Sequence, residues 1–152
     1  MPEHHERRVL PYSAAQLFDL VAGVEHYPEF LPWCLSSRVI RREDGAFHAE
    51  MVIGFKMIRE RFGSRVEFER PHRIDVTPTS GPFRHMRNHW RFTDLASGGC
   101  EVDFYVDFEF SSRLLAKLIG ILFHEAVRRM VGAFERRAAE IYGSNRPALA
   151  AG

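Results

Sequence analysis

At 152 residues the chain fits one domain, large enough to bury roughly 70% of its unfolded surface. Hydrophobic residues at 45% and charged residues at 27% exclude a disordered or low-complexity chain, and a formal net charge of +1 excludes a global pull toward nucleic acid. The charged start lacks an apolar signal core, no run approaches the ~18 apolar residues of a spanning helix, and Cys34 and Cys100 show neither disulfide-framework nor metal-ligand spacing. A cytoplasmic protein follows as the expectation, with a peripheral position on the inner face of a membrane left open.

Residues 7–12 read as a first strand. Ser13 then stands three residues before Gln16, a capping-box pattern ahead of Leu17, Phe18, Leu20 and Val21, so a short amphipathic helix is predicted to end near Gly23. Tyr27, Phe30, Leu31 and Trp33 follow around Pro28 and Pro32, which each remove a backbone donor and bias the preceding residue away from helix. This irregular, aromatic segment, with one further helical turn at most, reads as a flap over a core or a cavity, near the start of the long C-terminal helix.

From Ser37 to Phe110 the apolar period becomes two. Phe47, Ala49, Met51, Ile53 and Phe55 share one strand face; Phe62, Ser64, Val66 and Phe68 the next; then Ile74 and Val76; Met86, Asn88, Trp90 and Phe92; and Val102, Phe104, Val106, Phe108 and Phe110. Short turns at Asp44-Gly45, Pro71-His72, Gly81 and Gly98-Gly99 join them, which favours an antiparallel meander with one dry face. Ser111 or Ser112 caps a final helix over 113–142, whose stripe is read as Leu115, Leu118, Ile119, Leu122, Ala126, Met130, Ala133, Phe134 and Ile141. At ~1.5 Å per residue it is roughly 45 Å long, enough to lie across a sheet. The fold class is therefore α+β: a curved antiparallel sheet of about six to seven strands wrapped on a long helix, the helix-grip shape, which leaves room for a ligand between its layers. A single domain is expected, with its core over 7–142 and mobile tails at 1–6 and 144–152.

The inward positions hold few acid or base groups, so no catalytic constellation emerges. His26 beside Cys34 lacks a third, orienting group, and Cys34 reads as an inert buried thiol. Asn88, an amide between Met86 and Trp90 on an inward face, either bonds to backbone or donates to a ligand carbonyl. His85 and His89 share a strand face but stand ~13 Å apart, too far for one metal ion. With Arg87 and Arg91 they form a cationic outer face, open to solvent, an acidic partner, an anionic membrane or RNA. Leu114 and Ile121 point away from the helix stripe and need a cover: the Tyr27–Trp33 segment, a lipid surface or a partner.

Several blocks together resemble the coenzyme Q-binding START-domain family of the helix-grip superfamily, which also holds polyketide cyclase-like proteins. They are Tyr12-Ser13-Ala14, Tyr27-Pro28-Glu29-Phe30-Leu31-Pro32-Trp33-Cys34, Ile53-Gly54-Phe55-Lys56, Gly81-Pro82-Phe83, Asn88-His89-Trp90 and Asp107-Phe108-Glu109-Phe110. The resemblance implies a lipid-binding, chaperone-like protein that holds ubiquinone or a related isoprenoid as a bound ligand in support of respiratory electron transport, and it implies no catalytic residue. Bacterial members described as ribosome-associated toxins that hinder subunit joining give the alternative, and a small-molecule cyclase of the same fold the second alternative.

The expected ligand cavity takes Tyr27, Phe30, Leu31 and Trp33 from the irregular segment, and Phe55, Phe83, Met86, Asn88, Trp90 and Phe92 from the middle strands. Phe104 and Phe108 come from the last strand, and Leu115, Leu118, Ile119, Leu122 and Met130 from the long helix, Leu118 and Leu122 forming the floor. Leu114, Ile121, Arg87 and Arg91 remain for a membrane or partner contact.

Overall fold

The first and last strands of the chain lie side by side. In the computed structural model, which describes residues 3–55 and 58–143, β1 (Glu3–Leu10) pairs antiparallel with β7 (Cys100–Phe110). Between them in sequence run β2 (Cys34–Glu43), β3 (Ala46–Phe55), β4 (Ile58–Glu69), β5 (Arg73–Ser80) and β6 (Phe83–Asp94), a meander in which each strand pairs with the next. The result is a seven-stranded, curved antiparallel sheet of order β1-β7-β6-β5-β4-β3-β2. Among the described residues no helix is long and apolar enough to cross a membrane.

The first strand starts four residues earlier than the hydrophobic pattern predicts, so residues 3–6 belong to the sheet rather than to a mobile tail. Beside the backbone ladder its side-chain tie is polar: Asp103 on β7 accepts from His5 at 2.7 Å and from Arg7 at 3.0 Å. Charge pairing across strands leaves no apolar alternation to read. Residues 144–152 lie outside the described residues.

Helix α1 (Ala14–Ala22) begins with the capping box as read: Ser13 Oγ accepts from the Gln16 amide at 3.1 Å and Gln16 Oε1 from the Ser13 amide at 3.0 Å. Such a cap stabilises the helix by about 1 kcal/mol. The next N–H, on Ala14, donates to Asp94 at the end of β6, which fixes the helix against the sheet. Leu17, Phe18, Leu20 and Val21 are buried, and Phe18 meets Phe68 and Phe92 edge-on at 6.0 and 6.2 Å. A 3₁₀ turn, Val24–Glu29, carries Pro28 and leads into β2.

Helix α2 (Arg113–Tyr142) is capped by Ser112, whose hydroxyl accepts from the Leu115 amide. Its buried side chains are Phe123, Val127, Val131, Ala133, Phe134 and Ala138; Ala133 and Phe134 fall on the stripe read in the sequence, whereas up to Val131 the buried row is rotated from it by about one residue, ~100°. The first third is apolar nearly all round and does not set a phase; the arginines and apolar residues of the second half do. Every described side chain in residues 113–118 is exposed except Leu115, which is half-buried. Among the described side chains the helix packs on the sheet from Phe123 onward, and those of residues 113–118 stand largely clear.

The turn before β6 needs glycine. Gly81 has φ +126°, and a Cβ there would lie 2.4 Å from Phe62 Cβ.

Candidate functional site: an apolar cavity between sheet and helices

The sheet's dry face, α1 and the second half of α2 enclose a cavity of about 40 Å³. Trp90, Phe92, Val102 and Phe104 form its sheet wall; Leu17, Leu20 and Val21 come from α1, and Val131 and Phe134 from α2. Trp90 anchors the wall, with ring centroids 4.4 Å from Phe104 and 5.5 Å from Phe134. Space of this size holds about one water, whereas sites for drug-sized ligands occupy roughly 300–1,000 Å³, so the enclosure is closed in this state.

The polar side chains of the lining sit on one side, at a mouth formed by Glu6 and Arg8 of β1 and Glu135 of α2. The Arg8 guanidinium donates through Nε to Glu6 and through a terminal nitrogen to Glu135, bridging the edge strand to the helix. Hydrogen bonding to Glu6 chiefly holds Arg8 above the ordinary arginine range. Burial would raise the Glu6 carboxyl, but bonds from Arg8 and His4 outweigh it and hold it below the usual value. Arg8 and Glu6 are therefore both charged at neutral pH, and the Arg8 guanidinium stands beside an apolar interior.

Of the residues expected to line a cavity, Trp90, Phe92 and Phe104 do so. Tyr27 and Phe30 stand behind Phe134, with ring centroids 5.5 and 5.3 Å away. The aromatic segment thus covers the second half of α2, where Arg137 binds Glu29 at 2.5 Å and lies over the Phe30 ring, and not the helix start as expected. Leu31 packs against the core; Trp33 is half-buried, outside the lining, and its carbonyl accepts from the Gly54 amide. A second hollow of about 270 Å³ opens on the far side of Phe30, among Asp19, His26, Arg137 and Tyr142.

Phe83 and Phe108 belong to an aromatic strip beyond the lining, with ring centroids 5.9 Å apart, and Met86 packs against the core. Phe83 stacks on Phe110 at 5.2 Å, and Phe108 meets Phe123 at 5.1 Å. Met130 packs against the core, and Leu115 is half-buried. Leu118 is 41% exposed and is not a cavity floor; the one-residue phase shift of the stripe turns it outward. Leu114, at 68%, is open to solvent and not covered by the Tyr27–Trp33 segment. The side chains of Phe55, Ile119, Ile121 and Leu122 lie outside the described residues. Asn88 donates to the Tyr105 carbonyl at 3.0 Å, so its amide serves the sheet backbone and lies outside the cavity lining.

The outward strand face is less cationic than its sequence. Arg91 donates to Asp75 at 2.9 Å, and His85 bonds Asp107 at 2.6 Å. Asp107 also accepts from the Tyr105 hydroxyl, and His89 stacks on the Tyr105 ring at 5.1 Å. Burial would raise Asp107, but Tyr105 and His85 hold it below the usual carboxylate range, while burial and then Arg91 push His89 below the ordinary imidazole value. Arg87 is exposed beside Asp107. Acids on the neighbouring strands β5 and β7 thus interleave with the bases of β6.

The two thiols are buried, and burial pushes Cys34 and Cys100 up to about 11. Cys34 Sγ donates to the Ser36 carbonyl and His26 bonds Glu29, so the pair is not a nucleophile and base. Among the described residues no three His, Cys, Asp or Glu side chains cluster as metal ligands.

Sequence reasoning missed part of the lining. Leu17, Leu20 and Val21 carried a signal, the apolar face of a capped helix. Arg8 and Glu135, separated by 127 positions, carried none, because their meeting depends on β1 joining β7 beneath α2.

Comparison with known proteins agrees with this architecture. The chain is 39% identical, over 98% of its length, to the coenzyme Q-binding protein COQ10 homolog B, mitochondrial, of Xenopus laevis, and spans 63% of that protein. It is 38% identical, over 88% of its length, to the ribosome association toxin RatA of Rickettsia prowazekii, covering 94% of that protein. A START superfamily protein from Mycobacterium smegmatis superposes with a TM-score of 0.78 at 16% identity, covering 91% of this chain and 98% of the other, which speaks for the fold. Residues 10–135, from the end of β1 into the cavity-lining part of α2, match the family described as polyketide cyclase / dehydrase and lipid transport, and the chain belongs to that family.

Proposed function

We propose that this protein binds ubiquinone or a related isoprenoid quinone between the sheet and α2, as a lipid-binding protein that supports respiratory electron transport. The observation that carries the reading is the apolar enclosure walled by Trp90, Phe92, Phe104, Val131 and Phe134, with Arg8 at its mouth. A quinone pairs an apolar tail with a head bearing two carbonyl acceptors. A guanidinium offers five N–H donors in a planar fork, so Arg8 can exchange Glu135 for a head carbonyl as the mouth opens. At about 40 Å³ the enclosure is too small for the head, so binding requires α2 to move off the sheet. Likeness to a coenzyme Q-binding protein supports this reading. The lining holds Glu6 and Glu135 but no histidine or thiol, and both carboxylates are engaged by Arg8, which favours binding over catalysis. An organic extract of the purified protein should contain ubiquinone; an empty protein that also takes up none from vesicles would contradict the proposal.

A ribosome-associated role is the second reading, supported by likeness to the ribosome association toxins and by Arg128 and Arg136, exposed on α2 without a carboxylate partner among the described residues. Sedimentation with large ribosomal subunits at physiological salt tests it. Binding lost on Arg128→Gln plus Arg136→Gln, with no quinone in the extract, would put this reading first.

A further inference from the structure

The first turns of α2 carry two parallel rows of side chains. Leu114 and Leu118 stand one turn apart and are 68% and 41% exposed. Arg113 and Lys117, also one turn apart, run beside them, both exposed and without a carboxylate partner among the described residues. The sequence holds no acid between Glu109 and Glu125, and Glu109 is engaged by Arg84 at 3.5 Å. Paired exposed leucines on a helix anchored by Phe123 and the residues after it are unfavourable in water, and no described residue covers them.

We infer that this segment is a docking surface for an anionic lipid bilayer. The leucine row sinks into the boundary between headgroups and acyl chains, and the cation row reaches back to the phosphates, the arrangement of a helix that lies in the interface. A convex helix face with unopposed cations suits a flat anionic surface better than a protein groove. Its position adds a second argument. The Ser111 amide, just before α2, donates to the Pro82 carbonyl at 2.8 Å, which places the segment beside the Gly81-Pro82 turn. There the strip of Phe83, Phe110, Phe108 and Phe123 begins, and it leads along the dry face toward Trp90 and Phe104. Phe108 and Phe123 are buried while α2 lies on the sheet, so the strip becomes a route from the acyl layer at Leu114 to the cavity wall as α2 lifts. The docking surface itself does not depend on the quinone reading; that route does.

The test is flotation with vesicles of phosphatidylcholine alone and of phosphatidylcholine with phosphatidylglycerol, both free of quinone. The wild type should float with the anionic vesicles only, and less as salt rises. Leu114→Gln plus Leu118→Gln, and separately Arg113→Gln plus Lys117→Gln, should each lower partitioning by about tenfold or more with an unchanged circular dichroism spectrum. Glutamine preserves helix propensity, so loss of the helix is not the cause. No flotation, flotation insensitive to both double variants, or large-subunit binding that depends on Arg113 and Lys117 while flotation does not, would overturn the inference. Because the vesicles contain no quinone, failure here leaves the ligand reading standing, and a quinone-free extract leaves a positive flotation result standing.

Discussion

Val131→Ile is a direct probe of the space between sheet and α2. Val131 is buried on α2 and faces the void of about 40 Å³ beside Trp90 and Phe134. Isoleucine adds one methylene, keeps the β-branch and has a similar helix propensity. If the void is real, the methylene fills it and gains about 0.8 kcal/mol. In a domain of this size that raises the melting temperature by about 2–3 °C. If the interior were already close-packed, the same methylene would force neighbours off their rotamers and cost about 1–3 kcal/mol. The two cases differ in sign, which urea unfolding of wild type and variant at 25 °C resolves. A loss of 1 kcal/mol or more would refute the cavity and the ligand site built on it.

Three further outcomes follow from the same structure. Glu135→Gln removes the carboxylate that ties Arg8 to α2, so quinone transfer from vesicles should speed up; an unchanged transfer rate would exclude this mouth as the gate. Gly81→Ala forces a Cβ against Phe62 at a positive φ and should cost about 1–3 kcal/mol in urea unfolding, with a cost under ~0.5 kcal/mol counting against the turn geometry. Asp107 has a depressed folded-state pKa, so its contribution to stability is present at neutral pH and lost as pH falls through the acid range below the ordinary carboxylate value. The stability gap between wild type and Asp107→Asn should therefore narrow from pH 7 to pH 3, and a constant gap would show that the charge is not what the site uses.

The period-two runs from Phe47 to Phe110 named the dry face of the sheet, because one buried face fixes strand register strongly. The Ser13–Gln16 box and the serine cap of α2 were legible for a similar reason: each is a local contact within four residues. Failures arose where local signals were silent. Residues 3–6 join the β7 ladder, with His5 and Arg7 hydrogen-bonded to Asp103, and an alternation of polar residues is indistinguishable from a solvated tail in sequence. The first third of α2, where Leu114, Leu115 and Leu118 are apolar on several sides, carries no phase of its own, so the sequence pattern points Leu118 inward where the structure leaves it exposed. The cationic face of β6 lost much of its charge once Asp75, Asp103 and Asp107 arrived from strands distant or adjacent in sequence. Arg8 at the mouth was likewise unreadable until tertiary structure set it against Glu135.

The central claim is that a quinone occupies the space beside Trp90. The chain has two tryptophans, so Trp33→Phe leaves Trp90 as the sole indole reporter. Titrating that protein with a short-chain ubiquinone should quench its fluorescence saturably. Adding Val131→Phe, which overfills the void, should abolish the quenching while circular dichroism stays unchanged, and Val131→Ile should weaken it. Linear, unsaturable quenching, or saturable quenching that persists undiminished with Val131→Phe, would contradict a ligand site between sheet and helix.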